Sequence, residues 1–342
     1  MRAAFAIPGD LGTPTGGYVY ARRLIREAPR HGIALEPLSL PDGFPAASPA
    51  MLMTVAERLA ALPPGRPVLI DGLVLGVLPE MMLRNCPSPV VALCHHPLAL
   101  ETGLSAEDAA DLRLSERRAL ACVEHVIPTS QATAAILMAE YGVPAERLTV
   151  APPGTDPAPR ATGSGEVCEI LCVGSLTRRK GHDRLVKALA RNVAEIWRLR
   201  SVGPNRDPAF AEDLVELIAA EGLAERVTLT GTLSMAELAA AYQQADLFVL
   251  ASEYEGFGMA FAEAMAHGLP VLGLACPAVE EATAGAARLV PAAEFDAALK
   301  VLMTNKTERM MLADRCWTAA QTLMRWPQTM AIVARVMKGL NA

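Results

Sequence analysis

The 342-residue chain is 52% hydrophobic and only 20% charged, apolar enough for two cores of ordinary domain size rather than one. Its net charge of -6 is evenly spread, with 13 basic against 16 acidic residues up to Arg160 and 18 against 21 beyond it. Neither part has the basic excess that nucleic acid selects, and no apolar run reaches the ~20 residues of a membrane helix, so both a nucleic-acid partner and an integral membrane segment are excluded.

Taken in chain order, the first part alternates strand-like runs with helical patterns. Strands are predicted at 3–7, 33–37, 67–71, 90–94, 125–129 and 147–151. Helices are predicted at about 16–28, 51–61, 74–84, 106–121 and 130–140. The stretch "PPGTDPAPRATGSGE" (152–166) then reads as a linker, placed at 156–165. The rhythm resumes with strands at 168–174, 197–203, 226–231, 246–251 and 270–275. Between them fall helices from Gly181, over 208–222, after Ser234 and from Gly258 or Met259. "SMAE" (Ser234, Glu237) has the form of a capping box. Strand–helix alternation implies parallel sheets, hence an α/β protein of two Rossmann-like domains, 1–155 and 166–324. A last helix within 325–342 is expected to cross back and complete the first domain. In such sheets ligands bind outside the carboxyl ends of the strands, so a deep cleft between facing loops is the expected site.

The seven cysteines (86, 94, 122, 168, 172, 276 and 316) are odd in number and show no Cys-x-x-Cys spacing. Buried reduced thiols fit them better than disulfides or zinc and point to a cytoplasmic protein. The apolar start "AAFAI" breaks at Pro8 and Gly9, far short of a signal-peptide core. The basic helix "YARRLIREAPRHG" (20–32) leaves two readings: peripheral contact with the inner face of a membrane or an anionic acceptor, or a solvated face.

Four segments carry candidate chemistry. "VGSLTRRKG" places Arg178, Arg179 and Lys180 between a strand end and a helix start. Cations there add to free N–H groups and the helix dipole to make a phosphate site; the plain alternative is a solvated basic turn. "SEYEGFGMAFAEAMAHGLPV" (252–271) puts Glu255 in a glycine-bracketed turn and Glu263 about five residues into the next helix, ~7.5 Å along its axis. That length suits a sugar, a diphosphate and a ribose laid end to end, although two glutamates at this spacing alone are common. Gly16 and Gly17, opening the first helix, permit close approach to a donor phosphate or an acceptor, or simply form a tight turn. In "VVALCHHPL", His95 or His96 can face a leaving group or a sugar hydroxyl, or be a structural histidine. No His or Cys partners stand at metal-ligand spacing and Asp-x-Asp is missing, so no metal is expected.

These segments resemble a family 4 retaining glycosyltransferase (glycosyl transferases group 1) of the GT-B fold. The resemblance covers nearly the whole chain through "YGVPAERLTVAPPGTDP" (141–157), "VGSLTRRKGHDRLVKAL" (173–189), "LAERVTLTGTLSMAELAAAYQQADLFVLASEYEGFGMAFAEAMAHGLPV" (223–271) and "ARLVP" (287–291). It implies transfer of a hexose-type sugar from a nucleoside-diphosphate sugar to a lipid, glycan or small-molecule hydroxyl, with no cofactor or metal. By the resemblance, Glu255 holds donor-sugar hydroxyls beside Gly256, Phe257 and Gly258, and Glu263 holds the ribose. Lys180 binds the diphosphate, Thr232 lies at the base, and His95 is the histidine near the transferred sugar. The first basic residue of the family's pair is Ser175 here, and Arg179 is assigned in its place. The usual Asn of the family's "P-N-G" turn is Pro153. Ser175 also prompts a non-enzymatic alternative, a sugar-nucleotide-binding partner with weak or no turnover; a nucleotide-sugar epimerase on the same fold is the other.

Overall fold

The computed structural model describes residues 1–101, 103–163, 165 and 167–340. Ser164 of the expected linker, Glu166 at the expected start of the second domain, and Asn341 and Ala342 of the expected last helix lie outside the described residues. The chain separates into two compact units, Met1–Gly154 with Met324–Ala342, and Thr155–Leu323.

In chain order the first unit contains β1 (Arg2–Pro8), α1 (Gly16–Glu27), β2 (Ala34–Leu40), α2 (Pro49–Ala60), β3 (Val68–Asp71) and α3 (Gly72–Leu75). It continues with α4 (Glu80–Arg84), β4 (Val90–Cys94), α5 (Ala106–Leu120), β5 (His125–Pro128) and α6 (Gln131–Tyr141). β1 is buried beyond its first residue, and β3 and β4 are buried throughout. Burial on both faces is what forces a parallel sheet covered by helices on each side. Among the described residues five strands pair in the order β2-β1-β3-β4-β5, all parallel. The direction of chain progression reverses between β1 and β3, so their outgoing loops part and leave a crevice at that edge.

Two predicted elements differ from the observed ones, both because of proline. The helix expected at 74–84 is split into α3 and α4, since Pro79, at the N-cap of α4, offers no N–H and disfavours helical backbone at the residue before it. The strand expected at 147–151 is no regular strand. Thr149 and Ala151 donate to the carbonyls of Val126 and Pro128 at 3.1 and 3.0 Å, and Val126 and Leu148 form one bridge. The next rung needs an N–H from residue 128, which proline lacks.

The second unit begins with β6 (Cys168–Val173), α7 (His182–Ala190), β7 (Trp197–Val202), α8 (Pro208–Ala220), β8 (Val227–Leu229), α9 (Met235–Gln244) and β9 (Leu247–Leu250). It ends with α10 (Met259–Ala266), β10 (Val271–Leu274), α11 (Pro277–Ala282), β11 (Arg288–Val290), α12 (Phe295–Thr304) and α13 (Lys306–Ala320). Its parallel strand order among the described residues, β11-β10-β9-β6-β7-β8, reverses between β6 and β9. The capping box at α9 forms: Glu237 N–H donates to Ser234 Oγ, and Ser234 N–H donates to Glu237 Oε2 at 2.8 Å.

Helix α14 (Trp326–Gly339) belongs to the first unit. Thr329 Oγ1 donates to the Pro152 carbonyl at 2.7 Å, and the Trp326 ring meets Tyr20 edge-on at 5.6 Å between centroids. Gly154 permits this return, because a Cβ there would lie 2.2 Å from the Trp326 nitrogen. No helix among the described residues is long and apolar enough to cross a membrane.

Candidate active site

In the second unit the reversal between β6 and β9 brings two loops side by side. β6 delivers Gly174, Ser175 and a 3-10 turn, Arg178–Lys180; β9 delivers Ala251 to Gly258. Their approach is set by Gly181, whose φ is +66° and where a Cβ would stand 2.2 Å from the Ala251 carbonyl oxygen. Only glycine tolerates both the left-handed backbone and that contact.

The consequence is a compact charged cluster. Lys180 Nζ lies 2.6 Å from Glu255 Oε1, Ser252 Oγ donates to the same oxygen at 2.7 Å, and Arg179 reaches within 3.7 Å of Oε2 while donating to the Tyr254 carbonyl. Glu255 is only 6% exposed. Burial by itself would raise its pKa, but the Lys180 ammonium and Arg179 guanidinium together outweigh burial and hold it below the usual carboxylate value. Glu255 is therefore ionised at neutral pH. Arg178 stands outside the cluster, paired with Asp213 at 2.7 Å and lying over the Phe210 ring. Arg179, not Arg178, is the arginine that the fold brings to Glu255.

Gly258, at φ +104°, caps α10 with no side-chain hydrogen bond, so the N–H groups of the first turn carry no side-chain cap. Gly256 and Phe257 are half-buried in the turn before it. Glu263, half-buried on α10, accepts a hydrogen bond from Tyr242 at 3.1 Å. Thr232 is exposed beyond β8. Ser175 is held through its carbonyl by His182 Nε2 at 3.2 Å, and His182 Nδ1 lies 3.2 Å from Ser201 Oγ. Burial pushes the His182 pKa down to about 4, so the ring is neutral, donating from Nε2 and accepting at Nδ1.

The first unit has its own cluster where β1, β3 and β4 end. Gly16 and Gly17 open α1, and a Cβ on Gly17 would touch the His95 ring at 3.4 Å. His95 Nε2 is 3.5 Å from Asp71 Oδ2, and its ring meets Tyr20 edge-on. Asp71 Oδ1 also caps α3 by accepting from Leu73 N–H at 2.9 Å. His96 instead pairs with Glu101 at 3.2 Å. The loop that follows is held by Glu116, whose Oε2 accepts from Leu98 N–H at 2.9 Å; burial pushes the Glu116 pKa up to about 7.

The fold thus joins Arg179, Lys180 and Glu255 in one unit and Gly16, Gly17 and His95 in the other. Ser252, Tyr242, His182, Asp71 and Glu116 escaped the sequence reading. Asp71 and Ser252 had one legible signal: Asp71 closes a buried strand and Ser252 stands two residues beyond one. No group of three or more His, Cys, Asp or Glu side chains placed to hold a metal occurs among the described residues.

The family profile described as Glycosyl transferases group 1 matches residues 168–305, and that described as Glycosyltransferase Family 4 matches residues 19–159. Mannosylfructose-phosphate synthase of Agrobacterium fabrum is 32% identical over 168 residues, 43% of this chain; the chain spans only 37% of that relative's length. Among solved structures, sucrose-phosphate synthase from Thermosynechococcus elongatus superposes with a TM-score of 0.82 at 21% identity, covering 99% of each chain. Anabaena HepE, solved in complex with UDP and glucose, superposes with a TM-score of 0.77 at 16% identity, covering 99% of this chain and 100% of that one. At these identities the likeness to the solved structures is one of fold.

Proposed function

The chain belongs to the group 1, family 4 glycosyltransferases and has their GT-B fold, and on that premise we propose that it moves a hexose-type sugar from a nucleoside-diphosphate sugar to an acceptor hydroxyl with retention at the anomeric carbon. The observation carrying the proposal is the Lys180–Glu255 contact of 2.6 Å, bridging the two loops at the strand-order reversal beside the start of α10.

Glycosyl transfer needs stabilisation of the charge that grows on the departing diphosphate. Lys180, Arg179 and the first N–H groups of α10 supply it as fixed dipoles and cations, with no reorganisation at the moment of bond breaking and no need of a metal. Glu255, held ionised, orients the sugar hydroxyls and opposes the positive charge developing at the anomeric carbon. In this front-face course the acceptor hydroxyl enters on the side from which the diphosphate leaves, and a phosphate oxygen takes its proton. Ser175 and the backbone of Gly256, Phe257 and Gly258 line the donor, Glu263 holds the ribose and Thr232 adjoins the base. Within the first unit, His95, with Gly17 against its ring, is the candidate for holding a sugar hydroxyl, and Gly16 and Gly17 for close approach of a phosphate or the acceptor. The donor class is supported by the family profiles and by the name of the Agrobacterium relative, mannosylfructose-phosphate synthase. A lipid, a glycan or a small molecule is the acceptor.

The test is product analysis with UDP- and GDP-hexoses, with and without sugar-phosphate and lipid acceptors, by mass spectrometry and NMR of the new linkage. An α-linked product from an α-donor is expected. A β-linked product contradicts retention, an altered free sugar nucleotide marks an epimerase, and binding without turnover marks a sugar-nucleotide-binding partner.

A further inference from the structure

We propose that Tyr242 is the positioning residue that fixes Glu263 for recognition of the ribose, an inference that rests on the nucleotide-sugar reading above. Tyr242 lies in the last turns of α9, and Glu263 lies on α10; β9 and the turn that carries Glu255 separate them in sequence. The fold brings them together across the helices, where Tyr242 Oη donates to Glu263 Oε2 at 3.1 Å.

The tyrosine is itself held rigidly. It is 2% exposed, and its ring stacks on His267 at 4.8 Å and 9°, and on Phe248 at 6.3 Å and 26°. His267 is anchored in turn, since Gln243 Nε2 lies 3.0 Å from its Nδ1. Burial, with the neighbouring Glu263 carboxylate as a second cause, raises the Tyr242 pKa well above its ordinary value. The phenol therefore stays protonated and can only donate to the carboxylate. Glu263 is only half-buried, so it remains reachable by ligand.

A glutamate side chain has three rotatable bonds, and each hydrogen bond it accepts narrows the directions it samples. A donor fixed on one carboxylate oxygen selects a single orientation, in which the remaining lone pairs point one way. The 2′- and 3′-hydroxyls of a ribose are two adjacent donors, and a carboxylate with a fixed direction can accept both at once. Tyr242 thus supplies ribose selectivity without touching the nucleotide.

Tyr242→Phe keeps the ring, its stacking and its volume and removes only the hydroxyl. The experiment is calorimetric titration of UDP and GDP, and of their 2′,3′-dideoxy counterparts, into the full chain, Tyr242→Phe, Glu263→Ala and Glu263→Gln. Tyr242→Phe is expected to weaken binding of the preferred ribonucleotide on the order of tenfold, the loss of one charge-assisted hydrogen bond, and to leave the dideoxy nucleotide unchanged. The ribo-to-dideoxy preference then collapses towards that of Glu263→Ala. The proposal is overturned if Tyr242→Phe keeps the full preference or weakens both nucleotides equally. If Glu263→Ala abolishes the preference while Tyr242→Phe does not, only the role of Tyr242 falls. If the unaltered chain shows no preference for ribose, or binds neither nucleotide, the reading of Glu263 falls and this inference with it. Should Tyr242→Phe not fold, as judged by circular dichroism, Glu263→Gln decides. It keeps an acceptor for Tyr242 but makes a poorer one for the diol, so an unchanged ribose preference overturns the proposal.

Discussion

Replacing Glu255 with glutamine separates the charge of this residue from its shape. The amide retains an oxygen for Ser252 Oγ and Lys180 Nζ, now 2.7 and 2.6 Å from Glu255 Oε1, but leaves Lys180 and Arg179 without a counter-charge. Removing one partner of a buried ion pair costs about 3–5 kcal/mol; because the Lys180 and Arg179 side chains are still 16% and 13% exposed, partial hydration should bring the loss to roughly 2–3 kcal/mol. The pH dependence has a definite sign. The folded-state pKa of Glu255 is depressed, so its stabilisation is fully present above the unfolded carboxylate value of about 4.3 and is lost as pH falls through the lower folded value. The stability gap between the native chain and Glu255→Gln, measured by urea denaturation from pH 3 to 8, should therefore be full at neutral pH and close in acid. The same variant should bind UDP or GDP a few-fold, roughly three- to tenfold, more tightly, because the carboxylate no longer competes for the cations, yet lose turnover. A gap below about 0.5 kcal/mol at pH 7, as for an exposed pair, or a gap independent of pH, would refute this account of the cluster.

Three further outcomes follow from the same geometry. Arg179→Ala should weaken nucleoside-diphosphate binding about tenfold by calorimetry, whereas Arg178→Ala, which loses an exposed pair with Asp213, should leave it unchanged. Gly181→Ala should destabilise the chain by roughly 2–4 kcal/mol in denaturant, since the left-handed backbone costs ~1–2 kcal/mol and the Ala251 carbonyl must also move; nucleotide affinity should fall as the two loops part. His182, with a folded-state pKa of about 4, contributes stability that is complete above its unfolded value near 6.5 and fades as pH falls towards 4, by roughly 3 kcal/mol. His182→Asn should remove that part of the acid sensitivity, visible as a flatter stability curve between pH 6.5 and 4.

Much of this architecture is legible in the sequence because parallel strands buried on both faces appear as short apolar runs, and several of them, such as those ending at Pro8, Val173 and Val202, run straight into glycine. The runs ending at Val173 and Leu250 mark where Lys180 and Glu255 emerge, and the "SMAE" capping box marks the start of α9 to the residue. What stays hidden is pairing between elements far apart in the chain. Nothing local to Asp71 says that β3 and β4 are neighbours and set its carboxylate beside His95, and nothing local to Tyr242 says that α9 packs where Glu263 surfaces. The choices between Arg178 and Arg179, and between His95 and His96, are of the same kind. They turn on which side chain the backbone aims at the sheet edge, where Arg179 meets Glu255 and His95 meets Asp71. The predicted strand at 147–151 failed for a subtler reason, a missing N–H on the partner residue Pro128 rather than any property of its own residues.

The proposed role of the Arg179–Lys180–Glu255 cluster is to bind the diphosphate of a nucleotide sugar. Calorimetric titration of UDP-hexoses and GDP-hexoses into the native chain and Lys180→Ala tests it most directly. Saturable binding of one donor at a single site is expected, weakened tenfold or more in Lys180→Ala while the folded fraction stays high. Equal affinity in the two proteins, or no binding of either donor class to the native chain, would contradict it.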